Sequence, residues 1–580
     1  MTINFQDIAT SIANTLLAPL RLPTEAPPVA PTDEQGSAPL FDDAARLEDR
    51  SEEVLFAGNY AAADTEASGR DAAASLIHMG NNSLGSDKSA QAHAFNQQIE
   101  AHKDDPEWLA EYFGALGEDR VGELMRLSIT ETAIGSSGSP DDLARYQNTV
   151  DNLRTALDTL EKSGNLTQED MTALYKSLDL DTSDGNVFGA TLVSDLFANS
   201  SQAVKELFFN AAMAEGNDTS AAIASHVLAS MPVEDQVRIL DAMSQEELDS
   251  FVEMAMRGQF EAPDMEKWYG EGDTQSRVTI GGISDILANA NNETYYHPEV
   301  AVPDYPPHLQ TALFDATASA LTNQDIFDKF TDDVQFKEEL AQLTLKEHDG
   351  FLDRALDADG GTNGEDLGSD TRAEYSKVLE MTLFTPPLPD SAEDLVRHID
   401  DRFNEIGEDL ANMDDAAFEE KYGRNRGAMA GAFGQMTGVF FEALDSGLTR
   451  VENDADKAAE IMDPLFKLVD FGIGQGLGKA GPIGAVLTKA LNLSGASAAV
   501  KSEVKELIRE GHISEAIQLM KDNGVDLSEL GEGLYEHMHD DVLPNRTAPN
   551  GTYQGEHGDV SIKDAWQNGY DFVEGAPGTN

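Results

Sequence analysis

The sequence predicts a mainly α-helical protein of several blocks, built of αα-hairpins. A Gly-rich, close-packed helix pair is expected near the C-terminus, and both termini are expected to be disordered. Three observations lead there. Apolar residues recur at three- and four-residue spacing through most of the chain, and helix-start signatures stand in front of several of these runs. Alternation of the strand type is scarce, with "SRVTIGGI" (Ser276 to Ile283) the best candidate.

The elements follow in order. In "MTINFQDIATSIANTLLAPLRLP", Ile3, Phe5, Ile8, Ile12 and Leu16 sit at helical spacing and predict a short amphipathic helix. Pro23, Pro27, Pro28, Pro31 and Pro39 then make a stiff linker, so residues 1–40 form a leading segment. Residues 41–290 read as a helical block. "LTQEDMTALYKSL" carries Thr167 and Asp170 as cap and partner. "MPVEDQVRILDAM" places Pro232 at a helix start, with Val233, Val237 and Leu240 on one side. "SQEELDSFVEMAM" opens with the capping-box pair Ser244 and Glu247, and Leu248, Phe251, Val252 and Ala255 form its apolar face.

A Pro/Tyr-rich loop is expected over 291–310, "NNETYYHPEVAVPDYPPHLQ". A second helical block spans 311–452 and contains a further start at Ser391. Residues 453–543 carry a Gly-rich hairpin and a short helical pair, and 544–580 read as an irregular tail.

Charge excludes some partners. The chain of 580 residues holds 106 acidic and 39 basic residues, a formal net charge of -67. That field repels nucleic-acid phosphates and anionic lipid, so no nucleic-acid partner is expected. It suits high salt, abundant divalent cations, or export as a self-repelling unfolded chain. With no cysteine there are no disulfides, thiol nucleophiles or cysteine metal sites. The N-terminus lacks the basic region of a Sec signal peptide, and no run of about 20 apolar residues predicts a conventional membrane span.

Two glycine segments stand out. Gly427, Gly431, Gly434 and Gly438 are spaced for close helix packing, and Gly474 and Gly478 lie in the second segment, "LVDFGIGQGLGKAGPIGAVLTKAL". These residues are expected to pack helix on helix or to contact a membrane. Gly476, Gly478 and Gly481 also spell GxGxxG, but "DPLFKLVDFGI" upstream reads as helix where a dinucleotide site needs a strand.

Metal chemistry has two candidates. In "DADGGTNGEDLGSD", Asp359, Asn363, Glu365 and Asp370 follow part of the oxygen-ligand rhythm of a Ca²⁺ loop, with Gly364 as the turn residue. Gly361 stands where that rhythm needs a ligand. In "YEHMHDD", His537, His539 and Asp541 could bind Zn²⁺ and would support metal-dependent hydrolysis.

Two stretches resemble a known family. "DDPEWLAEYFGALGEDRVGELM", through Asp105, Pro106, Phe113, Leu116 and Gly117, resembles the helical N-terminal regions of WXG-associated bacterial polymorphic toxins. The two glycine segments resemble the Gly/Ala-rich helix pair near the end of those regions. The resemblance implies an exported helical carrier, or pretoxin region, that delivers a C-terminal toxin. Only a short helical pair and the tail follow the glycines here, so the toxin activity does not carry over.

The expected function is a secreted or translocated bacterial effector-like scaffold, non-catalytic and acting through protein partners. Its expected route is independent of a signal peptide, with a cytoplasmic location as the alternative. The alternative functions are a membrane-perturbing toxin using the glycine hairpin and a hydrolase using the His537–His539 cluster.

Overall fold

The computed structural model describes residues 67–82, 88–134, 140–180, 192–264, 276–291, 305–357, 369–422, 426–451, 454–473, 512–522, 547–551 and 557–561, with a few isolated positions besides. Twenty α-helices and two short antiparallel strand pairs make up their regular structure, so the fold is mainly α. The leading segment of residues 1–40 lies outside the described residues. The chain divides into two compact units, residues 1–289 with 294–309 and residues 290–293 with 310–580.

The first unit contains α1 (Gly69–Asn82), α2 (Lys88–His102), α3 (Pro106–Leu116), α4 (Glu118–Ile134), α5 (Pro140–Lys162) and α6 (Gln168–Ser177). A π-helical turn (Val193–Phe197) precedes α7 (Gln202–Glu215), α8 (Asp218–Ala229), α9 (Val233–Asp241) and α10 (Gln245–Gly258). β1 (Phe260–Pro263), β2 (Arg277–Ile280) and most of α11 (Ile283–Asn291) complete it. Packing is largely between near neighbours in the chain: α1 on α3, α2 on α4, α4 on α6, α6 on α7, α7 on α8 and α8 on α10.

Local chemistry explains the helix starts. Asp105 caps α3 by accepting from the Trp108 N–H at 3.1 Å, with Pro106 at the first helical position. Gly117, at φ 77°, ends α3 in the left-handed region, and its N–H donates to the Phe113 carbonyl at 3.0 Å. Both expected capping boxes form, Thr167 with Asp170 and Ser244 with Glu247. Leu248, Phe251, Val252 and Ala255 are buried.

Some local expectations are corrected. On α9 the buried face is Gln236, Ile239 and Leu240, whereas Val233 and Val237 are only half-buried. The Gln236 amide supplies the reason, because its hydrogen bonds turn that side inward. The strand expected near Val278 is β2, and its partner β1 carries no alternation that would announce it. Gly258 ends α10 where a Cβ would stand 1.8 Å from the Asp218 carbonyl oxygen, so only glycine admits this approach to α8.

The second unit holds most of α12 (Pro307–Leu321), then α13 (Gln324–Phe330), α14 (Val334–Asp357), α15 (Ser369–Leu383) and α16 (Ala392–Asn412). It continues with α17 (Asp415–Tyr422), α18 (Arg426–Arg450), α19 (Ala455–Ile473) and α20 (Ile513–Asp522). β3 (Thr547–Gly551) and β4 (His557–Ser561) pair antiparallel, so the tail expected to be irregular contains a strand pair. α18 is the centre of this unit. It packs against α14, α15, α16, α17, α19 and β3, and every residue from Met429 to Phe441 is buried. A helix apolar on all sides needs such enclosure.

Candidate functional site

The cluster richest in chemistry lies in the second unit, between α13, α15 and α18. Glu380 is fully buried on α15. One carboxylate oxygen accepts from Arg450 Nη2 at 2.8 Å, and the other accepts from Lys377 Nζ at 2.6 Å. Arg450 also donates to Asp328 at 2.9 Å. The two cations share the buried ring of Phe327, with Lys377 Nζ 4.9 Å and Arg450 Cζ 4.8 Å from its centroid. Glu442 lies close by on α18. Burial pushes its carboxyl up, opposed by the charges of Arg372 and Lys377 and reinforced by Glu380. Three carboxyl groups thus face three cations, in a chain where acids far outnumber bases. The arrangement neutralises buried charge and ties three helices together; its ionised groups are spent on one another.

A second set fixes the loop between α15 and α16, "FTPPLPDS" (Phe384 to Ser391). Lys337, buried on α14, donates to the carbonyls of Thr385 at 2.8 Å and Pro387 at 3.0 Å. Burial pulls its amine down to about 8 against the nearby carboxylates of Asp332, Glu460 and Asp333. Glu460 accepts from the Leu388 N–H at 2.6 Å, and Glu338 accepts from the Ser391 N–H at 3.0 Å and from its hydroxyl. Ser391 occupies the predicted helix start, but its side chain makes no cap; it turns instead to Glu338.

The first unit has a neutral counterpart. Gln236 is fully buried, and its amide donates to the carbonyls of Met231 at 2.8 Å and Ala229 at 3.1 Å. Its oxygen accepts from the Tyr305 hydroxyl at 2.7 Å and from Asn289 at 3.2 Å. All four hydrogen-bonding positions of the side chain are used. Tyr305, from the Pro/Tyr-rich segment, is therefore a buried anchor, and burial pushes its hydroxyl up.

The predicted site residues are distributed as follows. Gly427, Gly431, Gly434 and Gly438 are all buried within α18. A distinct glycine of the same helix, Gly447, makes a close approach: a Cβ there would stand 2.4 Å from Phe384 Cβ. Gly474, and the GxGxxG of Gly476, Gly478 and Gly481, lie outside the described residues. The segment before them is helical to Ile473, so a helix stands where a dinucleotide fingerprint requires a strand. Asp359, Asn363 and Glu365 lie outside the described residues, as do His537, His539 and Asp541. Asp370 belongs to the first turn of α15. Among the described residues no group of three or more His, Asp or Glu is placed to hold a metal, and no helix is long and apolar enough to cross a membrane.

Sequence reasoning passed over Glu380, Lys337, Arg450 and Gln236. One signal was present: Glu380 interrupts the run "KVLEMTLF", where its neighbours Val378, Leu379, Met381 and Leu383 are all buried. A charge inside an apolar run marks a buried pair. Its partner Arg450 stands 70 residues away and bears no local mark. In comparison with known proteins, no family model matches the chain, and no curated protein matches it.

Proposed function

We propose that the chain is a secreted or translocated bacterial scaffold, effector-like or pretoxin-like, that acts through protein contacts. The observation that carries this reading is the use of its buried polar groups. Glu380, Lys337 and Gln236 each fasten one helix or loop to another, and their hydrogen bonds end on structural partners. The resemblance of the capped helix from Asp105 to Gly117 and of the glycine segments to polymorphic-toxin carrier regions points the same way. The acidic excess suits export as an extended, self-repelling chain.

The membrane-perturbing alternative draws on the stretch from Gly427 to Phe441, which carries no charge. Its enclosure by five helices favours internal packing in the folded state. Expression of the intact chain in a neutral bacterial host, directed to the cytoplasm or to the periplasm, tests both. Normal growth with abundant soluble protein is the expected result. Arrest from the periplasm, with dye release from vesicles, would replace the scaffold reading by the membrane one.

A further inference from the structure

α17 is attached to the second unit differently from its neighbours. It has eight residues and buries one large side chain, Phe418. Its other fastenings are polar and lie near the surface. Lys421 donates to Glu405 at 2.7 Å and to Asp409 at 2.6 Å, both on α16. The Tyr422 hydroxyl also donates to Asp409, at 2.6 Å. Lys421 and Glu405 are about 40% exposed, so these ion pairs are open to screening by salt.

What α17 covers is costly to cover. Arg426 is 1% exposed, and its guanidinium nitrogens make no hydrogen bond among the described residues. Its ion partner is Asp415 of α17, 3.3 Å from Nη1, and its Cζ lies 5.5 Å from the Phe418 ring. A buried guanidinium with unmet donors carries a desolvation penalty that one off-axis carboxylate does not offset. Arg426 is also the first residue of α18, whose first turn holds no acidic residue. A cation there opposes the helix dipole. Two separate terms therefore favour exposing Arg426 to water, and α17 holds it shut.

We propose that α17 is a salt-released latch over the first turn of α18. At low ionic strength Lys421 and Tyr422 clasp Asp409 and Glu405, and Phe418 closes over Arg426. As salt weakens the clasp, α17 lifts, Arg426 becomes hydrated and the end of the central helix is uncovered. The sign sets this apart from the rest of the molecule. A chain of net charge -67 gains stability with salt, because screening relieves its self-repulsion. The latch should loosen instead.

Amide hydrogen exchange on the full chain, at about 0.1 M and about 1 M NaCl, reads both trends at once. The amides of Ala417 and Phe418 are expected to exchange at least about threefold faster at high salt, while those of α16 and of the centre of α18 slow or hold steady. Exchange in α17 that slows together with the rest of the unit would overturn the proposal. Lys421→Gln should give fast α17 exchange already at low salt and remove its salt dependence; an unchanged rate would count against the clasp. Arg426→Met should slow α17 exchange, since it removes the buried charge. Faster exchange in that variant would make Arg426 an anchor and sink the idea.

Discussion

Gln236 in the first unit and Glu380 in the second are both fully buried polar hubs, and they work by different physics. Gln236 is neutral and meets four partners with its four hydrogen-bonding positions. Glu380 is charged and depends on two cations, one of them divided with Asp328. A neutral hub that loses one partner costs about one hydrogen bond, whereas a charged hub that loses its partner leaves an uncompensated ion. The first unit is thus held by many small, separable contributions, and the second depends on a few coupled ones.

The sharpest way to break the comparison is Glu380→Ala. It strands Lys377 and Arg450 beside Phe327 and should destabilise the second unit by about 3–5 kcal/mol. Unfolding in urea, which adds no salt to so acidic a chain, measures it. A loss under about 1 kcal/mol would show that the cluster is solvated and the contrast with Gln236 empty.

Lys337 sharpens the comparison through pH. Its folded value of about 8 lies below the ordinary lysine value of 10.5. Below pH 8 both states hold the proton and the burial penalty is constant. Between 8 and 10.5 the unfolded chain binds more protons, so this group makes the second unit more stable as pH rises, by roughly 1–3 kcal/mol across the window. Lys337→Met should remove that slope, seen as urea midpoints between pH 7.5 and 10. A slope unchanged in the variant would assign it to other groups.

Smaller effects belong to the first unit. Gly258→Ala places a methyl group against the Asp218 carbonyl and should cost about 1–3 kcal/mol, leaving the second unit untouched. Ser244→Ala removes one side-chain cap of α10 and should cost about 1 kcal/mol, read from the same urea curves. If either variant shifted both units equally, the division of stabilities would fail.

The same contrast explains what could be read from the chain. Thr167 and Ser244 act on groups three residues away, and their helix starts were legible at that range. Ser391 resembles them in sequence, yet its bond goes to Glu338, 53 residues distant, and no local pattern marks it. The inward turn of Gln236 was hidden for the same reason, since Tyr305 stands 69 residues away. The glycines from Gly427 to Gly438 lie buried in α18, whose neighbours, α14 to α17 and α19, depend on how the chain returns. Of the candidate site residues, the four glycines of α18 could be placed by period. The buried ion cluster could not, because its members pair across helices.

The loop from Phe384 to Ser391 has a practical side. Three prolines in a short connection between helices would mark it as a convenient place to insert an epitope or a protease site. It is the opposite. Lys337, Glu338 and Glu460 each hold a backbone group of this loop, and an insertion would pull the anchored groups apart and leave Lys337 buried without its acceptors. A fusion partner is better grafted onto a surface turn such as Ser163–Asn165, where Gly164 has open space around it and the backbone N–H groups are met by carbonyls of the last turn of α5.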